Sequence, residues 1–546
     1  MRKQSTYRLI ALVIFCSALI LGLGVTACAQ APKVRPAFNA GSFYPADAKV
    51  LAKMVDDFLA KVAPEQLAEP PVALVSPHAG YEFSGQVAAH AYALLKGRKF
   101  ARVVVISPCH VENFPFSSVY DGDAYATPLG NIPVDKEFAR KLAGLSRDIK
   151  LSERGHVQVG GRGEHSLEVQ LPFLQRTLGE FRLVPIVMGD QDYDLSRALG
   201  AALARLIQQE SKQGLSGQSG GTLIVASSDL SHFHPYDEAV QLDHKVLRAI
   251  EEWDYFNMSR NFESRTWEAC GGGPIVAAMI AAERLGAPQA KILKYANSGD
   301  VTGDKSRVVG YGAVALLKEK AGRGAKQQAF SLSQKEKDEL LKIARKSVET
   351  AVRARTLYYP TLEGLESLQQ DRGAFVTLKE HGELRGCIGY IAPMKPLYMT
   401  VRDVAAHAAL RDSRFTPVTV AELSLLEYEV SVLSPLHRVA DIKQIRLGQD
   451  GLVLWKGEYE GVFLPQVPTE QRWDLMTYLE QLCYKAGLPK DAWRDEDADL
   501  FSFTAIVFGE QPRPEVVAPE VPQTPARRGV PGVLGPGSPT PQPPQF

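Results

Sequence analysis

The sequence predicts an α/β fold, with a mostly parallel sheet and helices on both faces, followed by a smaller α+β domain. Three observations carry the first part. Val72 to Val75, Arg102 to Ile106 and Thr222 to Ala226 are short apolar runs closed abruptly by turn formers, the pattern of buried strands rather than helices. Each run ends on residues able to do chemistry: Ser76-Pro77-His78, Ser107-Pro108-Cys109-His110, and Ser227-Ser228-Asp229 with His232 and His234 behind. Helical stretches separate the runs, and strands alternating with helices build a sheet covered on both sides. Ligands in open sheets of this kind collect outside the carboxyl ends of the parallel strands, so one edge is expected to gather these imidazoles.

At the amino terminus, Met1 to Arg8 is basic and Leu9 to Val25 is almost wholly apolar. Such a segment is a signal peptide or an anchor rather than part of the fold. An uncleaved spanning helix is the alternative, since about 17 apolar residues is the lower limit for crossing a bilayer. Val25-Thr26-Ala27-Cys28 resembles a bacterial lipoprotein cleavage box. Residues 1–28 are therefore expected to be a lipoprotein signal peptide, with Cys28 lipidated and the protein exported and held to a membrane by its lipid. Ala29 in place of aspartate resembles the sorting signal for an outer membrane, where the cell has one.

Ala37 to Ala46 is a turn-rich lead-in, and Asp47 to Val62 then places Val50, Leu51, Met54, Val55 and Phe58 on one helical face. Leu183 to Met188 and Val308 to Leu317 read as further strands, and Asp194 to Gln208 as a helix. Residues 318–332 are polar and lose periodicity, which makes them the linker between domains. Ser333 and Glu336 form a capping box that opens a helix from Gln334 to about Arg353. Short strands expected at Gly373–Leu378, Tyr428–Leu433, Leu452–Trp455 and Phe503–Phe508 give the second domain its α+β character. From position 511 to 546 proline, glycine and polar residues dominate, too little apolar area to offset the entropy of ordering, so a disordered tail is expected.

A chain of 546 residues calls for two domains. Lys+Arg and Asp+Glu both total 62, so no overall basic field supports nucleic-acid binding. With Cys16 and Cys28 in the export segment, Cys109, Cys270, Cys387 and Cys483 are too few for a disulfide framework.

HAGYEFSG, SPCH, GEHSLEVQLPF, SSDLSH and ACGGGPI, in that order, resemble the Memo family, itself similar to the class III extradiol dioxygenases, over roughly Arg35 to Leu317. LRGCIG, LPQV and LCYKAG resemble the AMMECR family over Ser333 to Phe508, within a domain spanning 333–510. The fusion resembles the AmmeMemoRadiSam system, which implies a radical-SAM protein as partner. The Memo resemblance implies a metal site at His78, His110 and Cys270, and a sulfur in place of the dioxygenases' carboxylate favours iron or reduced copper. It also places His232, with Asp229 beside it, as the acid–base group, since imidazole titrates near neutrality. Glu164, His165 and Glu168 stand at helical i, i+1, i+4 spacing, which puts the two carboxylates on one face, and they are expected behind the ligands, orienting them; an acid-rich helix start is the alternative. His234 has no role in the family. Arg385 and Cys387 form either a glycine loop exposing a thiol beside a cation or a strand–turn with the thiol buried. Cys483 and His407 are expected in the core. The function expected is metal-dependent redox, oxygenase-like or modification chemistry; the alternative is a non-catalytic copper- or iron-binding or peptide-interaction module.

Overall fold

The computed structural model describes residues 31–63, 67–212, 221–318, 331–362 and 364–510. The segment expected to be a lipoprotein signal, with Cys28, most of the expected linker and the proline-rich residues 511–546 lie outside them. In the first domain the strands are β1 (Val34–Arg35), β2 (Ala73–Ser76), β3 (Arg102–Pro108), β4 (Ser117–Val119), β5 (Ala124–Thr127) and β6 (Gly130–Pro133). They continue as β7 (Ile149–Leu151), β8 (Arg182–Met188), β9 (Thr222–Ser227), β10 (His232–His234), β11 (Gln289–Asn297) and β12 (Val308–Leu317).

Nine of these strands form one sheet in the order β10-β12-β2-β9-β3-β8-β4-β7, with β11 also paired to β12. The expectation of a mostly parallel sheet is corrected here: the sheet is mixed. The central β2, β9, β3 and β8 run parallel, as does the β4–β7 pair at one edge. β12 is antiparallel to β2, β10 and β11, and β4 is antiparallel to β8. The reason lies in the connections. A parallel return needs a crossover of a dozen or more residues, whereas β11 reaches β12 through only the short helix Ser298–Thr302 and its flanks.

Side chains along the central strands alternate between two cores. Val104, Ile106, Val184, Ile186, Ile224 and Ala226 face one, with the helices Tyr193–Lys212 and Gly272–Arg284. Val103, Val105, Leu183, Val187, Leu223 and Val225 face the other, with the helices Ala48–Ala60, Tyr81–Tyr92 and Leu171–Leu178. Continuous β-branched runs are what a strand buried on both faces requires. Ser76 stands opposite Ser227, and Ile106 opposite Ala226, so the carboxyl ends of β2, β9 and β3 finish level.

The second domain carries two antiparallel four-stranded sheets. The first is ordered β14-β13-β15-β20, from β13 (Ala374–Glu380), β14 (Glu383–Tyr390), β15 (Leu426–Leu433) and β20 (Ala505–Gly509). The second is ordered β16-β19-β17-β18, from β16 (His437–Arg438), β17 (Gly451–Lys456), β18 (Tyr459–Phe463) and β19 (Asp499–Phe503). The strand expected at Phe503–Phe508 is therefore two strands in different sheets, broken at Thr504. The capping box forms as read: Ser333 and Glu336 close the start of the helix Gln334–Ala354. The described residues form one compact unit as far as Gly509. Its largest core holds Leu433, Leu436, Val453, Phe501 and Phe503 of the second domain together with Tyr255, Phe256 and Trp267 of the first.

Candidate metal centre

Pro77 stops β2, and His78 follows it into the loop, where its ring is 1% exposed. Its backbone N–H donates to Asp229 Oδ1 at 2.8 Å, tying the loop after β2 to the loop after β9. Its Nδ1 lies 2.9 Å from Ser227 Oγ. That hydroxyl gives its only proton to the Ser166 carbonyl at 2.6 Å and accepts from Gln170 Nε2 at 2.8 Å. Ser227 can therefore only accept from the imidazole, so Nδ1 carries the hydrogen and Nε2 turns its lone pair into the site.

His110 reaches the same place from β3. Its Nδ1 pairs with Glu164 Oε1 at 2.9 Å, and Glu164 also takes the His110 backbone N–H, fixing Nε2 as the free nitrogen. Burial works to raise the Glu164 pKa, yet the hydrogen bond and charge of His110 hold it at about 2. His165 stacks on His110 with centroids 4.8 Å apart and is backed by Phe43 at 4.2 Å. Burial lowers its pKa to about 4, so it offers a neutral imidazole.

Cys270 enters from the far side, on the turn before the helix Gly272–Arg284. Its Sγ is 3.1 Å from His78 Nε2 and accepts the Asp229 backbone N–H at 3.2 Å. Burial, then the charge of Asp229, pushes the thiol well above its ordinary range. The His78 lone pair at 3.1 Å and the Asp229 carbonyl at 3.7 Å are the acceptors within reach of the thiol. Gly271 makes this approach feasible, since a Cβ there would meet the Ser227 carbonyl oxygen at 2.2 Å. Burial raises the Asp229 carboxyl to about 6.

Among the described residues, two groups bring ligand atoms within 4.8 Å of one another: His78 with His110 and His165, and His78 with Asp229 and Cys270. They share His78. The expected trio of His78, His110 and Cys270 spans both, and each half gains a member not assigned as a ligand from sequence. His232 lies on β10, and its Nδ1 donates to the Leu230 carbonyl at 2.8 Å. It is near enough for its charge to act on Asp229 and His78. His234 turns away to Glu268 at 3.0 Å.

The common helical face expected for Glu164 and Glu168 does not exist. Glu164 lies in a loop, because the helical turn starts only at Glu168. Glu168 serves a different partner set, the fully buried Arg35, Asn39 and Tyr44, and anchors the lead-in segment. In the second domain, Arg385-Gly386-Cys387 is continuous strand, with Gly386 small because a Cβ would meet the Ala408 carbonyl at 2.3 Å. Arg385 pairs with Glu422 at 2.7 Å, and the half-buried Cys387 thiol accepts from Thr377 Oγ1 at 3.3 Å. Cys483 is buried, whereas His407 is only partly buried and bonds Tyr390. All four described cysteines are free thiols.

Fold and site together define an α/β protein that gathers His, Asp and Cys side chains at its strand ends, fused to an α+β domain. The chain belongs to the Memo-like protein family, matched over residues 35–315, and carries an AMMECR1 domain over residues 341–508. A MEMO1 family protein of Aeropyrum pernix is 39% identical over 294 residues, 52% of this chain and 100% of the relative. One of Methanopyrus kandleri is 38% identical, over 51% of this chain and 96% of the relative. A solved structure of an uncharacterized protein from Pyrococcus horikoshii aligns at 36% identity and a TM-score of 0.32, covering 33% of this chain and 95% of that one.

Proposed function

We propose that the strand-end cluster holds one redox-active metal ion, iron or reduced copper, and performs oxygenase-like or modification chemistry. The observation that carries this reading is the convergence of the His78 lone pair with Cys270 and Asp229 on one side and two further imidazoles on the other. Two histidines with a carboxylate suit iron, and a thiolate shifts preference toward softer ions, so the donors fit either. Such an ion would supply electron transfer and Lewis acidity among these donors. The chain's own residues do the rest. Ser227 and Glu164 orient His78 and His110 by taking their Nδ1 hydrogens. His232, with Nδ1 committed to Leu230, has Nε2 available to accept a proton from an acidic hydroxyl such as a phenol. A carboxylate within the cluster favours an enzyme over a simple binder, because it supplies the hard ligand that a thiolate set lacks.

The test loads the full chain with Fe(II) or Cu(I) without oxygen, followed by elemental analysis and oxygen uptake with catechol-like compounds. About one ion per chain is expected, lost in His78→Ala, with release of the Cys270 thiol proton on binding. Equal loading of the variant removes the site. Loading without catechol-dependent oxygen uptake leaves the sequestering reading instead.

The lipid anchor and the radical-SAM partner complete the proposal. The VTAC box supports the anchor. Cys28→Ser is expected to abolish lipid labelling and leave the precursor unprocessed, and persistent labelling would discard it.

A further inference from the structure

We infer that the AMMECR1 domain positions the Cys270 thiol, acting through Trp267 and Tyr193. The inference rests on the reading of Cys270 as a metal ligand. Aeropyrum and Methanopyrus relatives match this chain along nearly their whole length while covering about half of it, so the second domain is an addition to a unit that is complete in them.

The other donors are held within the first domain: His78 by Ser227, His110 by Glu164, and Asp229 by the His78 backbone. Cys270 differs. The turn that carries it is gripped by Gln191, whose amide donates to the Cys270 carbonyl and accepts from Gly273 N–H, both at 2.9 Å. Two residues past Gln191, the fully buried Tyr193 hydroxyl donates to Asp499 of the second domain at 2.9 Å. On the other approach, the backbone N–H groups of Thr266 and Trp267 both close onto the Asn261 carbonyl, after Arg265 in a left-handed conformation (φ 57°). The direction in which the chain leaves that turn is set by where the Trp267 indole docks. It docks in the second domain, 5% exposed, its Nε1–H donating to Asp371 Oδ2 at 3.2 Å. Asp371 is itself held by Lys245 at 2.8 Å. Three residues span at most about 10 Å, so a shift of the indole passes directly to the sulfur. Beside the Asp229 N–H on its sulfur and the Ser228 hydroxyl on Gly271 N–H, the turn of Cys270 thus has two supports that end on a buried carboxylate of the AMMECR1 domain.

The test uses full-length Trp267→Phe, Tyr193→Phe, Asp371→Ala and Asp371→Asn. Iodoacetamide labelling of Cys270 is followed by peptide mass spectrometry in metal-free protein. Co(II) titration then follows the thiolate-to-metal absorption band, with thermal midpoints as a folding control. Trp267→Phe, Tyr193→Phe and Asp371→Ala are expected to label Cys270 several-fold faster and to bind Co(II) about 10-fold more weakly with a diminished band. Asp371→Asn keeps an oxygen for the indole while losing the charge that Lys245 holds, and is expected to fall between wild type and Asp371→Ala. Unchanged labelling and Co(II) affinity in Trp267→Phe and Tyr193→Phe would overturn the inference, as would Asp371→Asn failing as fully as Asp371→Ala. Should wild type show no thiolate band, the ligand reading of Cys270 fails, and the labelling rates alone decide whether the domain positions the thiol.

Discussion

At the scale of single residues, the site depends on a hydroxyl that no ligand rule selects. Ser227 accepts from His78 only because its own proton is committed to Ser166. In Ser227→Ala the His78 Nδ1–H would be left without a partner in a dry pocket, and the tautomer that frees Nε2 loses its advantage. Metal affinity, measured calorimetrically with Co(II), is expected to fall about 10-fold. An unchanged affinity would mean that the tautomer is set elsewhere. His78, His110 and Asp229 stand out in the sequence because each follows the abrupt end of an apolar run, whereas Cys270 is expected only from the resemblance to the Memo family. Ser227 stood beside them and went unassigned, since hydrogen-bond direction depends on Ser166 and Gln170, which come from a distant segment. The helical spacing expected to put Glu164 and Glu168 on one face is an error of period: the helical turn begins only at Glu168, and the loop before it delivers the His165 ring to His110.

At the scale of elements, the strands buried on both faces were legible and the edge strands were not. Val308–Leu317 reads as an unbroken apolar run, and the structure returns those bounds. Gln289–Asn297 carries Lys291 and Lys294 on a half-exposed edge, so periodicity hid it and with it the antiparallel side of the sheet. Where backbones nearly touch, the element sets its own tolerance. Gly271→Ala would put a Cβ 2.2 Å from a carbonyl oxygen that cannot move without shifting β9. It is expected to cost about 2 kcal/mol in urea unfolding and to weaken metal binding as Cys270 is displaced. Normal stability and affinity in that variant would show that the turn is free to adjust.

β14 carries a pH dependence of its own. The Arg414 hydrogen bonds hold Asp412 at about 2, and the Arg385 hydrogen bond does the same for Glu422. Both folded values lie below the ordinary carboxylate range, so their stabilisation is complete above about pH 4 and is lost as pH falls through about 2. Each pair is worth about 1 kcal/mol or less, because solvent screens the exposed Arg414 and reaches Glu422. Urea midpoints are expected to drop between about pH 5 and pH 2, with a shallower drop in Asp412→Asn and Glu422→Gln. Parallel curves for wild type and variants would remove these pairs from the account.

At the scale of the whole molecule, a polar linker leads one to expect two pieces that part when it is cut, and the packing argues otherwise. Phe256 lies against Phe501 at 4.7 Å and Trp455 at 5.3 Å, with Arg260 over the same indole. Arg372 grips Glu252 with two hydrogen bonds, at 2.5 and 2.9 Å. Asp499, 2% exposed, is faced by Arg197 and Arg284 from the first domain and Arg438 from the second. Parting the domains would expose several aromatic rings, each worth about 1.5–3 kcal/mol when buried, and strip Asp499 of two of its three cations. A protease site placed within residues 318–332 should therefore yield two fragments that co-elute under native conditions and separate only in denaturant. The nicked protein should unfold in one transition. Phe256→Ala, expected to cost about 3–5 kcal/mol, should convert co-elution into partial separation. Fragments of the wild type that elute apart, each with its own transition, would show that the shared core does not hold the halves together. They would also remove the mechanical basis for any influence of the second domain on Cys270.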